Sequence, residues 1–252
     1  MRNSNLENRL HAPCSILHAL CITQSETRSA IFDQANIIVH PLSNQKIDPA
    51  PSRRALCATC LRPQASCICQ WVTAVDHAVE VLILQHPLEV ANAKGSARLL
   101  HLSLAHSKIC VGEKFDEAGL QLLLAGKNNL LLYPDTLSGP SLGMVAPAPF
   151  DPHWLAQPGA LRLVVLDGTW RKSRKMLYLN RLLQHLPRLP LHSMPQSHYL
   201  IRKAHAPDQL STLEATCYAL MQLEGDAPRL EVLISAFDGF VAQQLSYIPG
   251  SA

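Results

Sequence analysis

Leu161-Arg162-Leu163-Val164-Val165-Leu166-Asp167-Gly168-Thr169-Trp170 sets the architecture of this chain. A short run this rich in leucine and valine reads as a strand buried on both faces. It stops on an acid, a glycine, a threonine suited to cap a helix, and a tryptophan. The basic, leucine-rich stretch 171–186 that follows is predicted to be helical, so the whole reads strand, tight turn, helix.

The same alternation extends in both directions. Strands are expected at 79–84, 107–111 and 129–133, and helices at 96–104, 116–125, 211–223 and 229–245. Near-continuous apolar strands separated by helices predict an α/β fold, a mostly parallel sheet flanked by helices. In such sheets ligands sit beyond the carboxyl ends of the strands. Three informative segments fall at predicted strand ends: Gln85-His86-Pro87-Leu88-Glu89, Tyr133-Pro134-Asp135, and Asp167-Gly168-Thr169-Trp170. They are expected to line one cleft. The chain has only 11 glycines, with no G-x-G-x-x-G and no P-loop, which disfavours a standard dinucleotide or triphosphate site.

The 252 residues are 48% hydrophobic and 16% charged, enough apolar material for one substantial core. The formal charge of +3 permits a nucleic-acid partner without requiring one. No apolar run reaches the length of a membrane helix, so no membrane association is expected. Residues 1–54 are polar and lack sustained periodicity, and read as a disordered extension. Residues 55–72 read as a small metal knuckle, and 73–252 as the catalytic domain.

Four of the eight cysteines crowd into Cys57-Ala58-Thr59-Cys60 and Cys67-Ile68-Cys69. Four thiolates on two short knuckles can surround one ion tetrahedrally, and Zn²⁺ favours that arrangement most. The alternative is a redox C-x-x-C pair, which the additional C-x-C argues against. With no open coordination position, the role is structural, and the setting is a reducing cytoplasm. Arg53, Arg54 and Arg62 stand close enough in sequence to meet a phosphate backbone. The other four cysteines, Cys14, Cys21, Cys110 and Cys217, read as ordinary small residues.

Asp167 is a carboxylate delivered where a buried strand emerges; a turn or capping role competes with a catalytic one. Trp170 can stack on a base or wedge the helix onto the sheet. Arg171, Lys172, Arg174 and Lys175 open the helix, and a basic stripe beside a strand-end acid suits RNA phosphates. A merely solvated face is the competing reading. Ser211-Thr212-Leu213-Glu214 has the form of a capping box.

Taken in order, Cys57-x-x-Cys60-x-Arg62-Pro63 with Cys67-x-Cys69, Leu84-Gln85-His86-Pro87-x-Glu89, Asp167-Gly168-Thr169-Trp170 and Leu210-Ser211-Thr212-Leu213-Glu214-Ala215 resemble the DTW-domain family. The resemblance spans about residues 55–245. It implies tRNA-uridine aminocarboxypropyl transfer from S-adenosylmethionine, with tRNA as partner. It also implies a SPOUT-related fold whose donor site lies in a trefoil knot near the carboxyl end of the sheet.

Carried over residue by residue, the donor wall comprises Tyr133, Pro134, Asp167, Thr169, Trp170, Arg202, Ser211 and Thr212. Asp167 is the first candidate for base or for holding the donor's ammonium, Glu214 the second, and Arg202 pairs with the donor carboxylate. After Glu89 the Asn-Thr-Gly-Arg form of some family members is replaced by Ala93-Lys94-Gly95-Ser96-Ala97-Arg98, where Ser96 can cap a helix and Arg98 can meet an anion. The competing readings are a SPOUT-like RNA methyltransferase and a non-catalytic zinc-ribbon RNA-binding protein. No protein partner is marked.

Overall fold

The computed structural model describes residues 21–23, 55–135, 145–192, 195, 197 and 210–247. Among these, six strands form one sheet: β1 (Cys21–Thr23), β2 (Glu80–Gln85), β3 (Ser107–Val111), β4 (Asn128–Leu132), β5 (Leu161–Asp167) and β6 (Arg188–Leu189). Across the sheet they run β1-β3-β2-β5-β4-β6. The five strands from β3 to β6 are parallel, and β1 lies antiparallel on the β3 edge. The central pair is β2 and β5, with Gln85 opposite Asp167. All seven residues of β5 are buried, as its composition requires.

The period-two alternation of the strands divides the core into two layers. Val81, Ile83, Leu163 and Val165 pack with Leu100 of α1 (Ala97–Ser103), Leu220 of α5 (Thr212–Glu224) and Phe237 of α6 (Ala227–Ser246). Leu82, Leu84, Val164 and Leu166 face the other way. They meet Leu120 of α2 (Glu117–Leu124), Met176 of α3 (Trp170–Leu179) and Leu183 of α4 (Arg181–His185). Helix ends follow local chemistry. Asp116, Thr169, Ser211 and Asp226 cap the starts of α2, α3, α5 and α6, and Gly225 ends α5 at φ 70°.

The helix expected over 171–186 is two helices. The Asn180 amide donates to the carbonyls of Met176 and Glu113 and accepts from the Phe115 N–H. That side chain substitutes for backbone bonding and turns the chain between α3 and α4. Strand β6 was not anticipated, because two residues between Pro187 and Pro190 carry no periodicity.

The cysteine knuckle docks beside α6. Trp71 lies against Gly239, where a Cβ would overlap the indole, and its Nε1 donates to Gln243 at 2.5 Å. Gln243 also donates to the Cys67 carbonyl, and the Tyr247 hydroxyl donates to the Ala65 carbonyl. From the knuckle, Arg62 donates to the carbonyls of Ala93 and Gly95 and lies over the Phe240 ring. Cys217 is a buried free thiol, as expected of a small core residue. Cys110 departs from that expectation, being disulfide-bonded. No helix among the described residues is long and apolar enough to cross a membrane.

Candidate active site

The three strand-end segments come together at the carboxyl edge of the sheet. Asp167, 5% exposed, closes β5. Its Oδ2 accepts from the Gln85 amide at 2.9 Å and its Oδ1 from the Thr212 hydroxyl at 2.7 Å. Its carbonyl accepts from the His86 N–H. The carboxylate therefore joins the end of β2 to the first residue of α5.

Gly168 serves through its lack of a side chain rather than through a left-handed turn. A Cβ there would stand 3.1 Å from the Lys172 Cβ and 3.7 Å from the His86 Cβ. The next residue, Thr169, caps α3 by accepting from the Lys172 N–H. Trp170 is 51% exposed, so it is not a core wedge. Its ring meets the buried Tyr133 edge-on, with centroids 5.7 Å apart. Pro134 and Asp135 follow on the surface.

His86 is buried, and its Nδ1 accepts from the Leu88 N–H. Its Nε2 therefore carries the proton and donates to Glu113 at 2.9 Å. Glu113 also pairs with Lys175, and the hydrogen bonds from Lys175 and then His86 hold its carboxyl below the usual range. Glu89 is buried and accepts from Lys172 Nζ and from the Asn92 amide, both at 2.7 Å. Lys172 thus ties α3 to the segment after β2. On the same helix Arg171, Arg174 and Tyr178 are exposed.

Glu214 is fully buried. It completes the capping box with Ser211, accepting from the Ser211 N–H at 2.7 Å, and it accepts from the Ser197 hydroxyl. Ser96 makes no cap bond of its own; its hydroxyl accepts from the Leu213 N–H and so anchors the start of α5. Arg98 donates to the Thr59 carbonyl of the knuckle. Arg202 lies outside the described residues.

Glu113 and Arg188 were not singled out from sequence, and Gln85 was quoted only as part of the strand-end segment it opens. Gln85 left a trace, as the lone polar residue ending an apolar strand. Arg188 left none. Its buried guanidinium lies 5.3 Å over the Tyr133 ring.

The four knuckle sulfurs lie within 4.8 Å of one another. Cys57 and Cys69 Sγ are 3.6 Å apart, and Cys60 and Cys67 Sγ 3.7 Å. Thiolates about 2.3 Å from a tetrahedral zinc stand about 3.8 Å apart, so the donor set fits that ion. Backbone N–H groups of Cys60 and Thr59 reach the Cys57 sulfur and pull its thiol down to about 6, while burial pushes Cys69 up to about 12. Leu61, at φ 58°, makes the left-handed step that closes this loop.

The DTW domain profile matches residues 54–245. The chain is 31% identical over 209 residues to tRNA-uridine aminocarboxypropyltransferase 2 of Drosophila melanogaster, covering 79% of this chain and 78% of that protein. It is 27% identical over 208 residues to the protein of the same name from Macaca fascicularis (80% and 67% covered). With tRNA-uridine aminocarboxypropyltransferase A of Arabidopsis thaliana the identity is 25% over 223 residues (79% and 84%). No solved structure matches. With the profile spanning everything from the knuckle to the end of α6, the chain belongs to the DTW domain family.

Proposed function

We propose that this protein is a tRNA-uridine aminocarboxypropyltransferase, moving the 3-amino-3-carboxypropyl group of S-adenosylmethionine to N3 of a loop uridine. The observation that carries the reading is the domain match over residues 54–245, together with relatives of that name in an insect, a primate and a plant. The site's chemistry agrees. A buried carboxylate, an exposed tryptophan and a buried tyrosine at one sheet edge suit an ammonium and a purine or pyrimidine face.

In the reaction N3 loses its proton and bonds to the donor's γ-carbon. The carbon–sulfur bond breaks, and its electron pair leaves with 5′-methylthioadenosine. The sulfonium supplies the leaving group, so the chain mainly positions and deprotonates. Asp167 suits the donor ammonium, because the bonds from Gln85 and Thr212 fix the direction of its carboxyl group. Glu214, buried in the capping box, aligns Ser211 and Thr212 rather than meeting N3 directly. Thr169, Trp170, Tyr133 and Pro134 form the rest of the donor wall, with Arg202. Trp170 offers the face on which an unstacked uridine can rest.

Arg171, Arg174 and Lys175 on the exposed side of α3 are assigned to tRNA phosphates, with Arg98 and Lys172 acting closer to the protein body. Zinc in the four-cysteine cluster is structural and holds the knuckle against α6. A SPOUT-related path with a knot near the donor wall belongs to the same reading; the segment 198–209 that bears on it lies outside the described residues. A cytoplasmic setting suits a tRNA substrate.

The deciding experiment incubates the purified protein with unmodified tRNA and S-adenosylmethionine and identifies products by mass spectrometry. Aminocarboxypropyluridine with methylthioadenosine is expected. A methylated nucleoside with S-adenosylhomocysteine would make the protein a methyltransferase. No product on any tRNA would favour a binding-only role.

A further inference from the structure

Among the described residues, two arginines are buried in the sheet, and their surroundings differ sharply. Arg162, at the amino end of β5, is fully provided for: it donates to Glu80 and Asn129 and to the carbonyls of Leu123 and Ala125. Arg188, on β6 opposite Leu131, is 6% exposed. Its guanidinium has no hydrogen-bond or ion-pair partner among the described residues, and one terminal nitrogen is sealed from solvent without an acceptor. Asp135, a nearby acid, attracts it through space without hydrogen bonding to it, while burial opposes the charge. A buried guanidinium without an acceptor carries a standing energetic penalty, which an anion bound there would relieve.

The position says what that anion is. One face of the guanidinium is covered by the Tyr133 ring, and Tyr133 in turn touches Trp170 of the donor wall. With a face covered, the N–H edges remain, and an edge matches a planar carboxylate through two parallel hydrogen bonds. The depth of the site excludes a nucleic-acid backbone, which needs cations on the surface. Asp167, the acid of the same sheet edge, complements an ammonium. An acid and an orphaned arginine at the same donor wall supply the two opposite charges that the amino and carboxyl groups of an amino acid need.

We propose that Arg188 binds the carboxylate of the donor's amino-acid moiety and thereby selects an intact methionyl group over decarboxylated analogues. The assignment rests on the donor reading above. It adds to the expectation for Arg202 a second guanidinium, one whose place in the fold is known.

The test is calorimetric titration of the full chain with S-adenosylmethionine and with decarboxylated S-adenosylmethionine, for the unaltered protein and for Arg188→Met, Arg188→Lys and Arg202→Met. Arg188→Met is expected to weaken S-adenosylmethionine roughly 10- to 100-fold and to leave the decarboxylated ligand within about twofold. Arg188→Lys is expected to fall between, keeping charge but losing the fork. Thermal unfolding of unliganded Arg188→Met should be no lower than that of the unaltered chain, because a buried unpaired charge has gone. Equal loss for both ligands, or no loss for either, would overturn the assignment. Weakened tRNA binding with unchanged donor binding would overturn it in favour of a phosphate. An unaltered chain that binds neither ligand would instead refute the donor reading, and this proposal with it.

Discussion

Thr212 Oγ1 donates to Asp167 Oδ1 at 2.7 Å, so the first residue of α5 is hydrogen-bonded to the last residue of β5. Two segments far apart in sequence thus share one carboxylate, with Gln85 on its other oxygen. Asp167→Asn keeps the shape and removes the charge. It is expected to lower turnover about 100-fold or more, with unfolding shifted by only a few degrees. Thr212→Val removes one orienting bond and should cost about tenfold in turnover. Steady-state rates beside melting curves check both; full turnover in Asp167→Asn would remove the residue from the mechanism.

The α3 basic residues should separate into two groups. Arg171→Glu and Arg174→Glu lie on the exposed side and are expected to weaken tRNA binding and flatten its salt dependence by about one unit of slope per contact. Lys172→Met breaks the pair with buried Glu89, so it should lower stability and donor binding instead. Filter binding across a salt series, set against calorimetry, distinguishes the two.

Arg98 illustrates a role that sequence could not assign. Its terminal nitrogen donates to the Thr59 carbonyl, and its charge lies in the field of Cys60 and Cys69. A zinc tetrathiolate is a net dianion, so a guanidinium beside it should favour metal binding. Arg98→Met is expected to lower zinc affinity about 10- to 100-fold, read by competition with a chelating dye. Unchanged zinc affinity would return Arg98 to the anion-contact reading.

Gly239→Ala tests how the knuckle is held. The added Cβ would collide with Trp71, so either the indole or α6 must move. A loss of roughly 1–3 kcal/mol is expected, a drop of several degrees in melting temperature. Trp71 fluorescence should change with it.

His101 gives the fold an acid sensitivity. Burial, assisted by the Arg98 charge, pulls its imidazole down to about 4. An unfolded chain therefore takes up this proton first as pH falls. The stability due to the neutral, buried ring is fully present above about 6.5 and is lost progressively down to about 4. The loss is of order 3 kcal/mol, and a His101→Gln variant should show a flatter pH profile in denaturant titrations.

Much of this was legible because periodicity is a strong signal. The strands at 107–111 and 161–166, the capping box at Ser211 and the four-cysteine spacing all announce themselves locally. What was not legible depends on partners distant in sequence. Asn180 breaks a helix only because Glu113 and Phe115 lie within its reach. Lys172 turns inward because Glu89 is buried beside it, and Arg98 is drawn to the knuckle by a carbonyl 39 residues earlier. Arg188 sits in a strand too short to show any pattern.

The placement of β2 between β3 and β5 has a consequence during synthesis. β3 emerges soon after β2 and can cover one edge, but the other waits for β5, roughly 75 residues further on. At about 5–20 residues per second, a nascent chain carries that unpaired apolar edge for several seconds. Exposed strand edges recruit other chains. Ribosome-associated chaperones, rather than the finished enzyme's stability, should therefore govern how much of this protein reaches its folded state in a cell.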